Sequence, residues 1–237
     1  MVVIGNEILS GKVTDSNSPF LARALRKAGV SLERVIVIPD DIPTIASTVA
    51  MYSATYDFVF TSGGVGPTHD DMTVAGIAAA FDCPVVYAEP LKAMIEKHIG
   101  GDANSHYLKM AEVPEGSELI DGGASNFPTV LKENVYILPG IPEIFEKKIG
   151  ALIDRFQTRP YFLIQVLVRE NEGIIAEHLN ATLDAFPELM LGSYPKLSNP
   201  EYSVRLTLES KDETYLEAAL EDLVGRMPAD YIVRIER

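Results

Sequence analysis

The strongest constraint on the fold is the alternation, over the first two thirds of the chain, of short apolar segments with amphipathic ones. Residues 35–38 and 58–60 are β-branched or aromatic throughout, as in strands buried on both faces. Residues 18–28 and 44–56 instead carry apolar side chains at helical spacing, and Gly29 follows the first of these helices. This alternation predicts an α/β fold, in which helices cover both faces of a mostly parallel sheet.

The order of the predicted elements changes after residue 158, where strands and helices follow one another as βαββαβ. That order predicts a small α+β unit of the ferredoxin-like type. We place the boundary at Arg159-Pro160, which gives two domains, residues 1–158 and 159–237. The predicted elements of the second domain are strands 161–168, 189–194, 202–209 and 231–235, with helices 172–186 and 214–226.

The amino-acid composition limits the classes of partner that we expect for this protein. The 237 residues include 34 acidic and 20 basic side chains, a net charge of −14, so nucleic acid and anionic membranes are not expected partners. Cys83 is the one cysteine in the sequence, which excludes an intrachain disulfide.

No apolar run approaches the roughly 20 residues of a membrane helix, and no secretory signal is visible. We expect a cytoplasmic protein. Because the sequence begins inside the first predicted strand, we also expect its natural start to lie further upstream.

The most informative motif is Thr-Ser-Gly-Gly-Val-Gly-Pro-Thr-His-Asp-Asp at residues 61–71, which joins a predicted strand to a predicted helix. In parallel sheets the ligand crevice lies beyond the carboxyl ends of the strands. Glycines there let backbone N–H groups approach a phosphate, and the helix N-terminus favours an anion. Ser62 and Thr68 add hydroxyl donors. The motif lacks the Gly-Lys-Ser/Thr of a Walker A loop and the G-x-G-x-x-G of a dinucleotide fingerprint.

Asp70 and Asp71 would repel a bare phosphate, but they suit a divalent cation that bridges carboxylate and phosphate. The alternative interpretation is a tight strand-to-helix turn in which Asp71 caps the helix. Loop composition alone leaves both open.

Three further loops follow predicted strands. Glu7 comes directly after the first strand, has no evident structural role and is a candidate ligand-binding residue. Asp40 follows the strand at residues 35–38 and either faces the same crevice or lies in a solvated turn. Asn17 and Ser18 precede Pro19 and are expected to cap a helix. Pro139-Gly140 either forms a rigid wall of the pocket or is a turn before a helix.

Together these loops resemble one family. The segments G-N-E-I-L-S-G at 5–11, D-S-N at 15–17, P-D-D at 39–41 and S-G-G-V-G-P-T-H-D-D at 62–71 resemble the molybdopterin-binding (MoaB/Mog-type) domain, in its competence/damage-inducible protein A branch. Residues 126–128, 138–142, 191–195 and 204–208 also resemble the N-terminal half of eukaryotic FAD synthases, which extends the resemblance over nearly the whole chain.

This resemblance implies a three-layer αβα fold and a small-molecule nucleotide or pterin phosphate as partner. The two aspartates used by molybdenum-inserting members fall on Asp40 and Asp71, which are therefore the expected catalytic residues. The competence-protein and FAD-synthase branches are linked to metal-dependent cleavage of ADP-ribose or FAD. We therefore expect a divalent cation (Mg²⁺, Mn²⁺ or Co²⁺, with K⁺ as a further candidate), and also a homo-oligomer, since family members assemble through these domains.

The expected site has three groups of residues. Many relatives carry Gly-Asp-Glu where this chain has Gly5-Asn6-Glu7, and Asn6 cannot be an anionic metal ligand. The expected metal ligands are therefore Glu7, Asp70 and Asp71. The expected phosphate- and ligand-binding residues are Gly5, Glu7, Ser62, Gly63, Gly64, Gly66, Pro67, Thr68, Pro139 and Gly140.

The leading hypothesis is a metal-dependent hydrolase that splits the pyrophosphate of FAD or ADP-ribose. The alternative is a molybdopterin- or nucleotide-binding module in molybdenum cofactor biosynthesis, which binds through the same loops without turnover. A protein-interaction subunit is a third hypothesis, and it predicts that changing Asp71 alters no ligand property.

Overall fold

A computed structural model describes residues 1–99, 105–121 and 127–237. The sequence also predicts a loop at residues 100–104; this segment and Asn126 lie outside the described residues. The first unit contains, in chain order, β1 (Val2–Ile4), α1 (Asn6–Leu9), α2 (Asn17–Lys27), β2 (Ile36–Ile38), α3 (Ile42–Thr55), β3 (Val59–Ser62), α4 (Thr73–Ala80), β4 (Val85–Tyr87), α5 (Glu89–Ile99), α6 (Ser105–Lys109), β5 (Glu112–Pro114), β6 (Glu118–Ile120), β7 (Thr129–Lys132), β8 (Val135–Ile137) and α7 (Pro142–Leu152).

Strands of this unit pair in the order β2-β1-β3-β8-β7-β6. The pairs β1–β2, β1–β3 and β3–β8 are parallel, as the alternation of apolar and amphipathic segments predicts. Strands β7 and β6 extend the sheet as antiparallel neighbours of β8 and β7, and β4 pairs separately with β5. The mostly parallel α/β sheet is therefore confirmed, with an antiparallel edge that the sequence did not indicate.

Side chains that alternate along β1 divide between two cores, which makes the unit three-layered. Val3 packs with residues of α2 and α7, including Leu21 and Phe145. Val2 and Ile4 pack on the opposite face with residues of α3 and α4. Because both faces of the sheet are covered by helices, the polar ends of the parallel strands are the places left for a ligand.

The second unit contains β9 (Phe162–Val168), α8 (Glu172–Ala185), β10 (Met190–Pro195), β11 (Val204–Ser210), α9 (Glu213–Arg226) and β12 (Ile232–Glu236). Its strands pair in the order β10-β11-β9-β12, and each neighbouring pair is antiparallel. This is the ferredoxin-like βαββαβ topology that the sequence predicts. Helices α8 and α9 pack on one face, against side chains such as Val204, Leu206 and Leu208.

The chain divides into compact units at residues 1–157 and 158–237. Within the described residues, no helix is both long and apolar enough to pass through a membrane.

A buried lysine joins α7 to the strand region at the antiparallel edge. Lys148 is 5% exposed, and its Nζ donates to the carbonyl oxygens of Phe127 at 2.8 Å and Pro128 at 2.9 Å. Burial lowers the pKa of Lys148 from 10.5 to about 8. The ammonium group therefore satisfies two backbone acceptors at some cost in desolvation.

Replacing Lys148 with Met should destabilise the protein by about 1–3 kcal/mol at pH 7, because the carbonyls lose their donor. Between pH 8 and 10.5 the unfolded chain holds more protons at this lysine, so wild-type stability relative to the variant should rise with pH. Urea unfolding at several pH values measures both effects. Lys147→Met, at an exposed neighbouring position, is the control; equal effects of the two changes would contradict the assignment.

Candidate functional site

The site lies where the strand order of the first sheet reverses. The chain passes from β1 to β2 on one side and then returns to β3 on the other side of β1. In doubly wound sheets such a switch point opens a crevice at the carboxyl ends of the strands. The loops after β1, β2, β3 and β8 all leave this edge, and they carry the residues that the sequence analysis singled out.

The loop after β1 is joined to the loop after β2. Gly5 N–H donates to the Ile38 carbonyl oxygen at 3.1 Å, and Asn6 N–H donates to Asp40 Oδ2 at 2.8 Å. A Cβ added at Gly5 would lie 2.5 Å from Glu7 Oε1, so the Glu7 carboxylate lies back over the glycine. The structure therefore brings Gly5, Glu7 and Asp40 to the same part of the crevice.

The adjacent Asp41 has a different role. Its Oδ2 accepts from the Thr44 N–H at 2.9 Å and the Thr44 hydroxyl at 2.6 Å, so it caps α3. These bonds, the hydroxyl first, lower the pKa of Asp41. Asp40 and Asp41 are thus distinguished by what they touch, and Asp40 is the one that contacts the loop after β1.

The glycine-rich loop after β3 begins with a turn that needs glycine. Gly63 and Gly64 have φ values of 102° and 65°, in the left-handed region. A Cβ at Gly63 would collide with the Ile4 carbonyl oxygen of β1, so the loop lies against the end of the neighbouring strand. The Thr73 hydroxyl donates to the Gly63 carbonyl oxygen at 2.7 Å and holds the turn on α4.

Asp71 closes the other end of this loop. Its Oδ2 accepts from the Thr68 N–H at 2.8 Å and from the Thr68 hydroxyl at 2.5 Å. A Cβ at Gly66 would lie 2.8 Å from the same oxygen, so the missing side chain leaves room for the carboxylate, while Pro67 between them is half-buried. Helix α4 begins at Thr73 and has no side-chain cap, so the interpretation of Asp71 as its N-cap was wrong.

Lys109, at the end of α6, also holds this loop, and no motif in the sequence indicates this role. Its Nζ donates to the carbonyl oxygens of Thr68 and Asp71, the latter at 3.0 Å. Asp70 is exposed, and its pKa is lowered first by the nearby Thr68 hydroxyl, then by its own backbone N–H and by the charges of His69 and Lys109.

Asn17 links the start of α2 to two of the crevice loops. It is 5% exposed, and its Nδ2 donates to Ser62 Oγ at 2.9 Å and to the Gly140 carbonyl oxygen at 2.8 Å. The expected capping role of Asn17 and Ser18 was wrong, because Asp15 Oδ1 accepts the N–H groups of both residues. Asn17 instead fixes the separation of the loops after β3 and β8.

The loop after β8 forms the far wall of this part of the crevice. A Cβ at Gly140 would lie 3.3 Å from the Gly63 Cα atom, so the two loops touch through their glycines. Ser62 Oγ also lies 3.4 Å from the Pro139 carbonyl oxygen. Both Pro139 and Gly140 therefore lie beside the glycine-rich loop, although no contact shows their role toward a ligand.

Replacing Asn17 with Ala should destabilise the protein by about 1–3 kcal/mol, because buried acceptors lose their donor. It should also weaken ligand binding at the crevice, since the loops after β3 and β8 lose their link. Thermal unfolding and ligand titration measure the two effects. Ser16→Ala, at an exposed neighbouring position, is the control. An Asn17 variant as stable as this control would contradict the proposed link.

The expected metal ligands are not gathered into one cluster. Across residues 1–99, 105–121 and 127–237, no group of three or more His, Cys, Asp or Glu side chains is placed to hold a metal ion. The set Glu7, Asp70 and Asp71 is therefore not preassembled. The Asp70 side chain is 65% exposed.

Comparisons with known proteins agree with this architecture. The family described as probable molybdopterin binding domain matches residues 1–158, and the FAD synthase middle domain matches residues 160–236. A crystal structure of the protein CinA from Thermoplasma acidophilum superposes with a TM-score of 0.60 at 32% identity, over 65% of this chain and 95% of that one.

Three relatives match nearly all of this chain. A protein of Archaeoglobus fulgidus is 34% identical over 93% of each chain. A probable FAD synthase of Caenorhabditis elegans is 32% identical over 94% of this chain, which spans 48% of that protein's length. A CinA-like protein of Myxococcus xanthus is 28% identical over 93% of this chain and 56% of its own length. The chain therefore belongs to the MoaB/Mog-type molybdopterin-binding domain family, in its CinA-like branch, close to the N-terminal part of FAD synthases.

Proposed function

We propose that this protein is a metal-dependent nucleotide pyrophosphatase that acts on FAD or ADP-ribose. The observation that carries the proposal is a set of unpaired amides at the switch point. Within the part of the chain that the structure describes, the N–H groups of Gly64, Val65 and Gly66 donate no hydrogen bond. Successive free amides in a turn form an anion-binding concavity, and this one begins at the second of two positive-φ glycines.

A diphosphate is the anion that fits the surroundings best. Three successive amides offer more donors than one phosphate oxygen needs, whereas the hydroxyl groups at the two ends of the row already donate elsewhere, Ser62 to the Pro139 carbonyl oxygen and Thr68 to Asp71 Oδ2. The carboxylates of Glu7, Asp40 and Asp71 lie on loops that leave three adjacent strands. In water-exposed surroundings these charges would oppose a bare anion, so they favour a ligand that arrives with a cation.

The chemistry of these residues fits a divalent cation that is shared with the ligand. Magnesium is commonly held by one or two carboxylates together with substrate phosphates and water, and does not need a three-carboxylate cluster. Asp71 is the first candidate to hold it, with Glu7 or Asp40 as the second. Such an ion, when bound, would neutralise phosphate charge and lower the pKa of a coordinated water.

The protein's own groups would position the diphosphate and the attacking water. The amides of the glycine-rich loop would bind phosphate oxygens, and their orientation is fixed by Asn17, Thr73 and Lys109. Asp40 Oδ2 is occupied by the Asn6 N–H, so its other oxygen is the one available to orient a water molecule. Hydrolysis of the phosphoanhydride would add this water across the P–O–P bond and release two monophosphates.

A second function is supported by the bonds that the carboxylates already make. Asp71 and Asp40 each accept backbone N–H groups, so both have a structural role that needs no catalysis. The alternative is therefore a pterin- or nucleotide-binding module without turnover, which uses the same amides.

A substrate panel separates the two functions. FAD, ADP-ribose and a nucleoside monophosphate are incubated with Mg²⁺, Mn²⁺ or Co²⁺, while calorimetry measures binding and chromatography measures products. We expect metal-dependent release of monophosphates from FAD or ADP-ribose. Saturable binding without product would support the binding module and contradict the hydrolase. The absence of both binding and product would overturn both functions.

A further inference from the structure

An arginine on the strand face of the second unit has no charged partner. Side chains on β11 alternate, so that Val204 and Leu206 face the helices and Arg205 and Thr207 face the other way. Arg205 lies between Tyr194 of β10 and Leu167 of β9 in the register of the sheet. It is therefore one of the side chains presented on the face of the sheet that α8 and α9 do not cover.

Arg205 is held by an aromatic ring. Its Cζ atom lies 5.3 Å from the centroid of the Tyr194 ring, which is within the range of a cation–π contact. The residue keeps part of its surface exposed, yet its Nε atom is shielded from solvent and has no hydrogen-bond partner. A shielded N–H group that stays unpaired is destabilising.

Within residues 158–237, three arginines form an ion pair with a carboxylate, and Arg159, Arg169 and Arg205 do not. Arg226, Arg234 and Arg237 each lie within 4 Å of a carboxylate of the same unit. Arg205 forms no such pair with any residue that the structure describes. Of its donors only Nε is shielded, so the two Nη groups, which have no partner and are not buried, are available to an external anion.

Because Gly192 has no side chain, the Tyr194 ring can lie over it. A Cβ at this glycine would lie 2.8 Å from Tyr194 Cε2 and Oη, and 2.8 Å from Thr207 Oγ1. The ring therefore crosses the space that a side chain would fill, beside the Thr207 hydroxyl. Tyr194 remains 45% exposed, so part of its ring is open to a ligand. The arrangement combines a cation, a hydroxyl and an accessible aromatic surface.

We propose that Arg205, Tyr194 and Thr207 form a binding site for the phosphate group and base of a nucleotide. A guanidinium binds a phosphate through paired N–H···O bonds, and the stacked ring holds it in one orientation before the ligand arrives. The exposed part of the tyrosine ring offers a stacking surface for the base. This site belongs to the second unit and does not depend on hydrolysis at the glycine-rich loop.

Arginine side-chain NMR of the full chain tests the proposal. The ¹⁵Nε–H signal of Arg205 is assigned from its loss in Arg205→Lys, and wild-type protein is titrated with AMP and with inorganic phosphate in the absence of metal. We expect the Arg205 signal to shift saturably with both ligands, and at lower concentration with AMP because of the base. No shift up to about 10 mM of either ligand would overturn the site.

Matched variants separate the contributions of the residues. Arg205→Gln should weaken AMP binding, followed on signals of Tyr194 and its neighbours, by about 10-fold or more, since it removes a charged hydrogen-bonding group. Arg234→Gln, which removes an exposed and paired arginine, should leave it unchanged. Tyr194→Ala removes the stacking surface for the base, so it should lower the affinity for AMP to about that for inorganic phosphate. If Arg205→Gln changes the oligomeric state and not AMP binding, a protein carboxylate is the occupant and the proposal is wrong.

Discussion

Replacing Gly63 with alanine should destabilise the protein by about 3–5 kcal/mol and abolish ligand binding at the glycine-rich loop. Two costs add at this position. The φ value of 102° is in a region that residues with a Cβ rarely adopt. The new methyl group would also collide with the Ile4 carbonyl oxygen, and neither strand can easily move, because Val3 and Ser62 pair in the sheet.

Gly11→Ala is a matched control for this change. Gly11 also has a positive φ of 72°, but a Cβ there would meet nothing within 4 Å. It should therefore show the backbone cost alone, about 1 kcal/mol. Urea unfolding of both variants gives the difference between them, which measures the contact of β3 with β1. If the two substitutions cost the same, the close approach of the loop to Ile4 is not present in solution.

The parallel part of the fold could be predicted because its strands contain runs of β-branched or aromatic residues. Residues 35–38 and 58–60 read as buried strands and correspond to β2 and β3. The antiparallel edge was missed because β6 and β7 are short and lie in a segment without clear periodicity, where Glu118 is exposed and Lys132 is buried. Pairing between strands that are distant in sequence decides such segments, and a single sequence does not show it.

The same difference between local patterns and long-range contacts explains which parts of the site could be predicted. The crevice loops could be predicted because one topological rule places the ends of all parallel strands at one edge. Asn17 was misread because an asparagine two residues before a proline is typical of a helix start, whereas its bonds go to Ser62 and Gly140, far along the chain. Lys109 lies 38 residues from Asp71, and no local pattern indicates that it holds the loop.

Replacing Asp71 with asparagine should lower metal-dependent cleavage of FAD or ADP-ribose by about 10²–10³-fold, while the fold persists. Asparagine Oδ1 can still accept from the Thr68 N–H and hydroxyl, so the loop keeps the bonds that close it. What the change removes is the negative charge. The expected loss therefore reports the charge of Asp71 toward a cation and water, and not the shape of the loop.

Asp41→Asn controls for the hydrogen bonds of such a carboxylate. Asp41 also accepts an N–H and a hydroxyl from a single threonine, at 2.9 and 2.6 Å, but it does so as the cap of α3. We expect this variant to keep cleavage within about 2-fold of wild type and to lose at most about 1 kcal/mol of stability. Initial rates at saturating metal, together with urea unfolding, measure both variants. The two aspartates make similar hydrogen bonds but lie on different loops. Equal cleavage rates for Asp71→Asn and Asp41→Asn would therefore contradict a catalytic role for the glycine-rich loop.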